Sequence, residues 1–104
     1  MTLNTDVGLR LSAQRALYGS VGPNLVRFSG EIRDKTIILQ WVILNTAGED
    51  EIEDYRIVGT EVVADYIDER IEEQFLTIER LGEANTISPL SNQFFCRNLT
   101  GENN

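Results

Sequence analysis

The sequence contains no histidine and a single cysteine, Cys96. Without histidine, the chain lacks the side chain that titrates near neutral pH and the commonest metal ligand. Ser-His-Asp and Cys-His nucleophilic sites are excluded, and one cysteine cannot build a zinc site. It cannot form an intramolecular disulfide either, which suits a reducing compartment. No glycine-rich phosphate loop of the GxGxxG or GxxxxGK type is present. Positive charge is scarce: 9 Lys and Arg stand against 17 Asp and Glu, a net charge of −8. A basic footprint for nucleic acid or for an anionic membrane surface is therefore missing. Apolar runs are short. The one around Trp41 is interrupted by Gln40 and ends at Asn45, well below the ~20 residues of a spanning helix. Residues 1–19 hold no signal-peptide core. These absences predict a cytoplasmic protein with no catalytic residues, no metal, no cofactor, no nucleic acid and no membrane partner.

What is present predicts an α+β fold in the order αββαββ, one domain over residues 1–104 with a frayed tail at 100–104. Leu9, Ala13, Ala16 and Leu17 carry the stripe of a first helix over 3–18, with Gly19 as its left-handed stop. Leu25–Arg33 alternates as a strand, Val26, Phe28 and Ile32 on one face and Arg27, Ser29, Glu31 and Arg33 on the other. Gly30 on the apolar face suggests a bulge or close packing. Asp34-Lys35 turns the chain into a second strand, Thr36–Leu44, whose apolar residues on both faces mark it as central. Thr46 and Glu49 have capping-box spacing at the start of a second helix that ends near Asp68. Strands at Ile71–Arg80 and Asn92–Asn98 follow, separated by a loop over 81–92. Cys96, beside Phe94 and Phe95, is expected to fill core. The helix between strands two and three permits a parallel crossover. The sheet is expected to be twisted, four-stranded and mostly antiparallel, with two helices packed on it.

The residues from Gly48 to Glu73 hold 11 of the 17 carboxylates. At about 100° per residue, Ile52, Tyr55, Val58, Gly59, Val62, Val63, Tyr66 and Ile67 fall on one side of a helix. Glu53, Asp54, Glu61, Asp65 and Asp68 fall on the other. Carboxylate pairs such as Glu72-Glu73 invite acid–base or calcium roles, but Asp50–Glu61 fills its would-be calcium loop with helix formers. Solvated helix charge explains the pairs more simply. Ile57 projects among Glu53, Glu61 and Asp68, as a protein-interface anchor would. The predicted partner surface is therefore Glu53, Ile57, Glu61, Asp65 and Asp68, extended by Glu72 and Glu73, and an acidic surface favours a basic partner.

The segment from Arg10 to Gly19, with Gly22-Pro23-Asn24-Leu25, and the segment from Thr60 to Tyr66, with Ile71-Glu72-Glu73, resemble small bacterial immunity proteins of contact-dependent growth inhibition systems. The resemblance covers most of residues 9–80. It implies a non-catalytic protein that binds and neutralises a cognate toxin C-terminal domain, of which basic nucleases are a common kind. The competing reading is a small structural or regulatory adaptor, a homodimer through an open sheet edge.

Overall fold

The computed structural model describes residues 6–66 and 69–97. The elements follow in the order α1 (Asp6–Leu17), β1 (Leu25–Arg33), β2 (Thr36–Leu44), α2 (Glu49–Val63), β3 (Arg70–Ile78), a 3-10 turn (Leu81–Thr86) and β4 (Asn92–Cys96). The strands form one sheet in the order β3-β2-β1-β4. β1 pairs antiparallel with β2 and β4, and β3 runs parallel to β2. This is the expected αββαββ arrangement, with α2 as the crossover that a parallel pair requires. Asp34 and Lys35 both have positive φ, 52° and 61°, which matches a two-residue hairpin to the twist of its strands.

Both helices pack on one face of the sheet. Ile37, Leu39, Trp41 and Ile43 of β2 meet Leu9, Ala13 and Leu17 of α1 and Tyr55, Val58 and Val62 of α2 in a single core. Phe95, Phe28, Trp41 and Phe75 are successive register partners, so one aromatic rung crosses all four strands. The Trp41 ring stacks on Phe28 with centroids 3.7 Å apart, on Tyr55 at 4.9 Å and on Phe75 at 6.1 Å. Gly30 is where the packing is closest: a Cβ there would lie 2.9 Å from both the Ile38 carbonyl oxygen and the Phe94 ring. The expectation of close packing at this glycine holds.

The opposite face of the sheet is covered by the chain between β3 and β4. Val26, Val42, Ile78 and Ala84 form a second cluster, with Leu44, Leu81 and Ile87 packed against it. Polar side chains of β1 and β2 fasten this segment. Arg27, buried, donates to the carbonyls of Ala84 (3.3 Å) and Ile87 (2.6 Å). Gln40 donates to Ser88 O (3.3 Å), Ser29 Oγ accepts from Leu90 N (3.1 Å), and Glu31 accepts from the backbone and hydroxyl of Ser91. Burial raises the Glu31 carboxyl, but the Ser91 and Arg33 contacts outweigh it and leave the group below its ordinary range.

Four sequence expectations need correction. Val26 lies opposite Phe28 rather than beside it, because a register shift between Leu25 and Arg27 reverses the alternation. Cys96 is exposed, not core. A bulge against β1 turns both Phe94 and Phe95 to the helix side, so Cys96 pairs with Arg27 on the other parity at the sheet margin. α2 ends at Val63, short of Asp68; residues 67 and 68 lie outside the described residues, as do 1–5 and 98–104. No capping box forms. Gly48 is the N-cap without a side-chain hydrogen bond, while the Thr46 hydroxyl donates instead to Asn24 Oδ1.

Candidate functional site

The site is built on α2. Its inner stripe, Tyr55, Val58, Gly59 and Val62, is buried, so the intervening residues must face outward. Glu53, Ile57 and Glu61 are exposed as a group, Ile57 to 49%. These three sit four residues apart on a helix and share one face. Glu53 pairs with Arg56 at 3.5 Å. A shallow groove opens beside them, lined by Glu49, Asp50, Ile52, Glu53 and Arg56.

The start of α2 is held by an acceptor in its first turn, where the helix dipole favours a carboxylate. Glu51 accepts from Asn24 N (2.9 Å), Asn24 Nδ2 (2.8 Å) and the Tyr55 hydroxyl. Burial pushes the Glu51 carboxyl up, but the Tyr55 and Asn24 hydrogen bonds prevail and hold it below its ordinary value. The strip of α2 is therefore presented on a helix fixed at its N-terminal end to the turn before β1.

The other predicted partner residues separate from this strip. Asp65 lies past the helix end and accepts from the Ser12 hydroxyl and from Arg15 Nη2 (2.7 Å), joining α2 to α1. Asp68 lies outside the described residues. Glu72 is exposed on β3. Glu73 turns the other way: it shares a rung with Leu39 on the helix side and accepts from Trp41 Nε1 at 3.2 Å. Its carboxylate occupies the space that a Cβ on Gly59 would fill, so a glycine in α2 admits it between helix and sheet. Burial raises the Glu73 carboxyl above its ordinary range, and the Trp41 indole and Arg56 only partly oppose this.

That direction yields a pH test. A carboxyl raised in the folded state contributes stability in full below its unfolded value of about 4.3, and the contribution is lost as pH rises through the folded value. Glu73→Gln keeps an acceptor for Trp41 and removes the half-buried charge. The variant should melt higher than the parent at pH 7, and the two should converge at pH 4. Paired thermal scans at both pH values check this; a lower melting point for Glu73→Gln at pH 7 would show that Arg56 outweighs burial. Glu31 and Glu51 have the opposite sign, losing stability as pH falls, so the comparison is made with the parent at each pH.

One exposed feature went unremarked in the sequence. Val7 and Leu11 stand 62% and 58% exposed on α1, and Tyr18, in the turn just past its end, is 90% exposed. The 4- and 7-residue spacing was its only signal. Among the described residues, no three or more His, Cys, Asp or Glu gather as metal ligands, and no helix is long and apolar enough to cross a membrane.

The model of the family described as MafI2 immunity protein matches residues 6–98. The chain belongs to the MafI2 immunity protein family. The match spans both helices and the whole sheet. As a MafI2 immunity protein, the chain has a toxin-neutralising role and a cognate toxin for partner. The family is an immunity family, as the resemblance of residues 9–80 implied, and its description does not extend to contact-dependent growth inhibition. A comparison with curated proteins found no match to this MafI2 family member.

Proposed function

We propose that this MafI2 immunity protein neutralises a basic, nuclease-type toxin domain in the cytoplasm by stoichiometric binding, without chemistry of its own. The observation that carries the reading is the outer strip of α2, with Glu53 and Glu61 flanking exposed Ile57 on a chain of net charge −8. A nuclease active site that holds phosphate is basic, and an acidic surface with an apolar anchor complements it in charge and in contact. The lack of histidine supports a role without catalysis. The resemblance of residues 9–80 supports delivery of the toxin by contact-dependent growth inhibition.

The test is co-expression with a candidate cognate toxin, the C-terminal domain of any large exoprotein encoded beside this chain. The two should co-purify as a 1:1 complex, the toxin domain should degrade nucleic acid alone, and the complex should not. A toxin domain that binds but acts on another target would remove the nuclease reading and leave immunity in place. A chain that binds no such domain and sediments as a dimer would favour the adaptor reading.

A further inference from the structure

The sheet has two edges, and they are not alike. β4 is five residues long, is bulged against β1, and has its Gln93 carbonyl covered by Arg10 of α1 at 3.1 Å. β3 is nine residues long and keeps regular register with β2 over its whole length. Arg70 N donates to Lys35 O, and Ile78 O accepts from Asn45 N, so the even-numbered residues of β3 turn their backbone groups toward β2. In a parallel ladder the alternate residues face the other way. The N–H and C=O groups of Ile71, Glu73, Phe75 and Thr77 therefore point off the edge, and none takes a backbone partner among the described residues. Proteins ordinarily blunt such an edge with proline, bulges or charge; β3 has neither proline nor bulge, and its charges, Arg70, Glu72 and the inward-turned Glu73, all lie in its first half, which leaves Phe75 and Thr77 uncharged at the edge.

We infer that the toxin adds an extended strand to β3, with basic side chains on the side of α2. This rests on the immunity reading and specifies how the partner is held. Charge selects the occupant. The side chain of Arg56 lies 5.4 Å over the Phe75 ring and pairs with Glu53, so the acidic shoulder of α2 overlooks the edge. A strand laid along β3 sends alternate side chains up beside Phe75, toward the groove lined by Glu49, Asp50, Ile52, Glu53 and Arg56, in which three carboxylates face one guanidinium already paired with Glu53. Basic residues at those positions would meet carboxylates. A second copy of this chain would instead bring two acidic shoulders together along one seam, which like charges oppose. Main-chain bonds supply affinity in this mode and alternate side chains supply specificity.

The probe is the candidate toxin domain of the co-expression test, with hydrogen exchange measured on the free chain and on the complex. The amides of Ile71, Glu73, Phe75 and Thr77 should exchange fast in the free chain and become protected in the complex. Those of the even-numbered residues should be slow in both. Thr77→Pro removes one outward N–H and leaves the β2 ladder intact; it should fold and bind at least about tenfold more weakly. If the complex forms but the four amides stay fast, strand addition is wrong and the immunity reading survives; this result stands on the native chain even if Thr77→Pro does not fold. If the native chain binds no toxin domain, both fall. Protection of the same amides in the free chain, together with sedimentation as a dimer, would give the edge to a second copy and overturn the proposal.

Discussion

Trp41→Ala should destabilise the fold by about 3–5 kcal/mol, the usual cost of truncating a large buried aromatic. Trp41 has no exposed surface and touches three elements at once: Phe28 of β1, Phe75 of β3 and Tyr55 of α2. Removing it opens the centre of the aromatic rung and deprives Glu73 of its indole donor. Against a typical total of about 5–15 kcal/mol, such a loss leaves little margin. Trp41→Phe keeps a ring in the stack and loses only size and the N–H, so it should cost markedly less. Urea unfolding followed by circular dichroism is the appropriate measurement, since Trp41 is the sole tryptophan and its fluorescence disappears with it. A Trp41→Ala midpoint close to that of the parent would mean that the rung is not what joins the helices to the sheet.

Glu53→Lys combined with Glu61→Lys should weaken toxin binding by about a hundredfold or more, while leaving the fold intact. Both carboxylates are exposed on α2. The expected structural cost is small: Glu53 gives up one solvent-exposed pair with Arg56, a few tenths of a kcal/mol in an exposed helix. At the interface, each reversal removes an attraction and adds a repulsion, and losing one partner of a desolvated charge pair costs about 2–5 kcal/mol, much of it from the charge left unpaired. Association with the native chain should also slow as salt rises, since the Debye length shrinks from about 10 Å at 0.1 M to about 3 Å at 1 M. Asp65 is left out of the double reversal because it ties Ser12 and Arg15 of α1, and changing it would confound folding with binding. Calorimetry at two salt concentrations, with melting curves alongside, separates the effects. Unchanged affinity in a folded variant would move the interface to exposed Glu72 or to the segment between β3 and β4.

Period and turn chemistry made much of this fold readable in advance. The strands at 25–33 and 36–44 have the expected ends, since alternation and the Asp34-Lys35 turn act within a few residues. The buried stripe of α2 follows from helical spacing. What was not readable depends on partners distant in the chain. The bulge that exposes Cys96 exists only because β4 meets β1 some 69 residues away, from Arg27 to Cys96. Polar Arg27 and Glu31 look solvent-facing in a strand pattern, yet they fasten the segment over 81–92. The candidate surface was readable for Glu53, Ile57 and Glu61, which owe their exposure to helix phase alone. It was not readable for Asp65 or Glu73, whose positions depend on α1, on Trp41 and on the absence of a side chain at Gly59.

The strand order has a consequence for synthesis. The hairpin of β1 and β2 occupies the middle of the finished sheet, yet both strands that flank it come later in the chain. At about 5–20 residues per second, β3 follows the hairpin by roughly 1–5 s and β4 by roughly 3–10 s. During that interval the nascent hairpin has two open edges, and Ile37, Leu39, Trp41 and Ile43 have neither α2 above them nor β3 beside them. An apolar hairpin in that state is a template for pairing with other nascent chains. Until Arg70 and the rest of β3 follow, the β2 edge is open to such pairing.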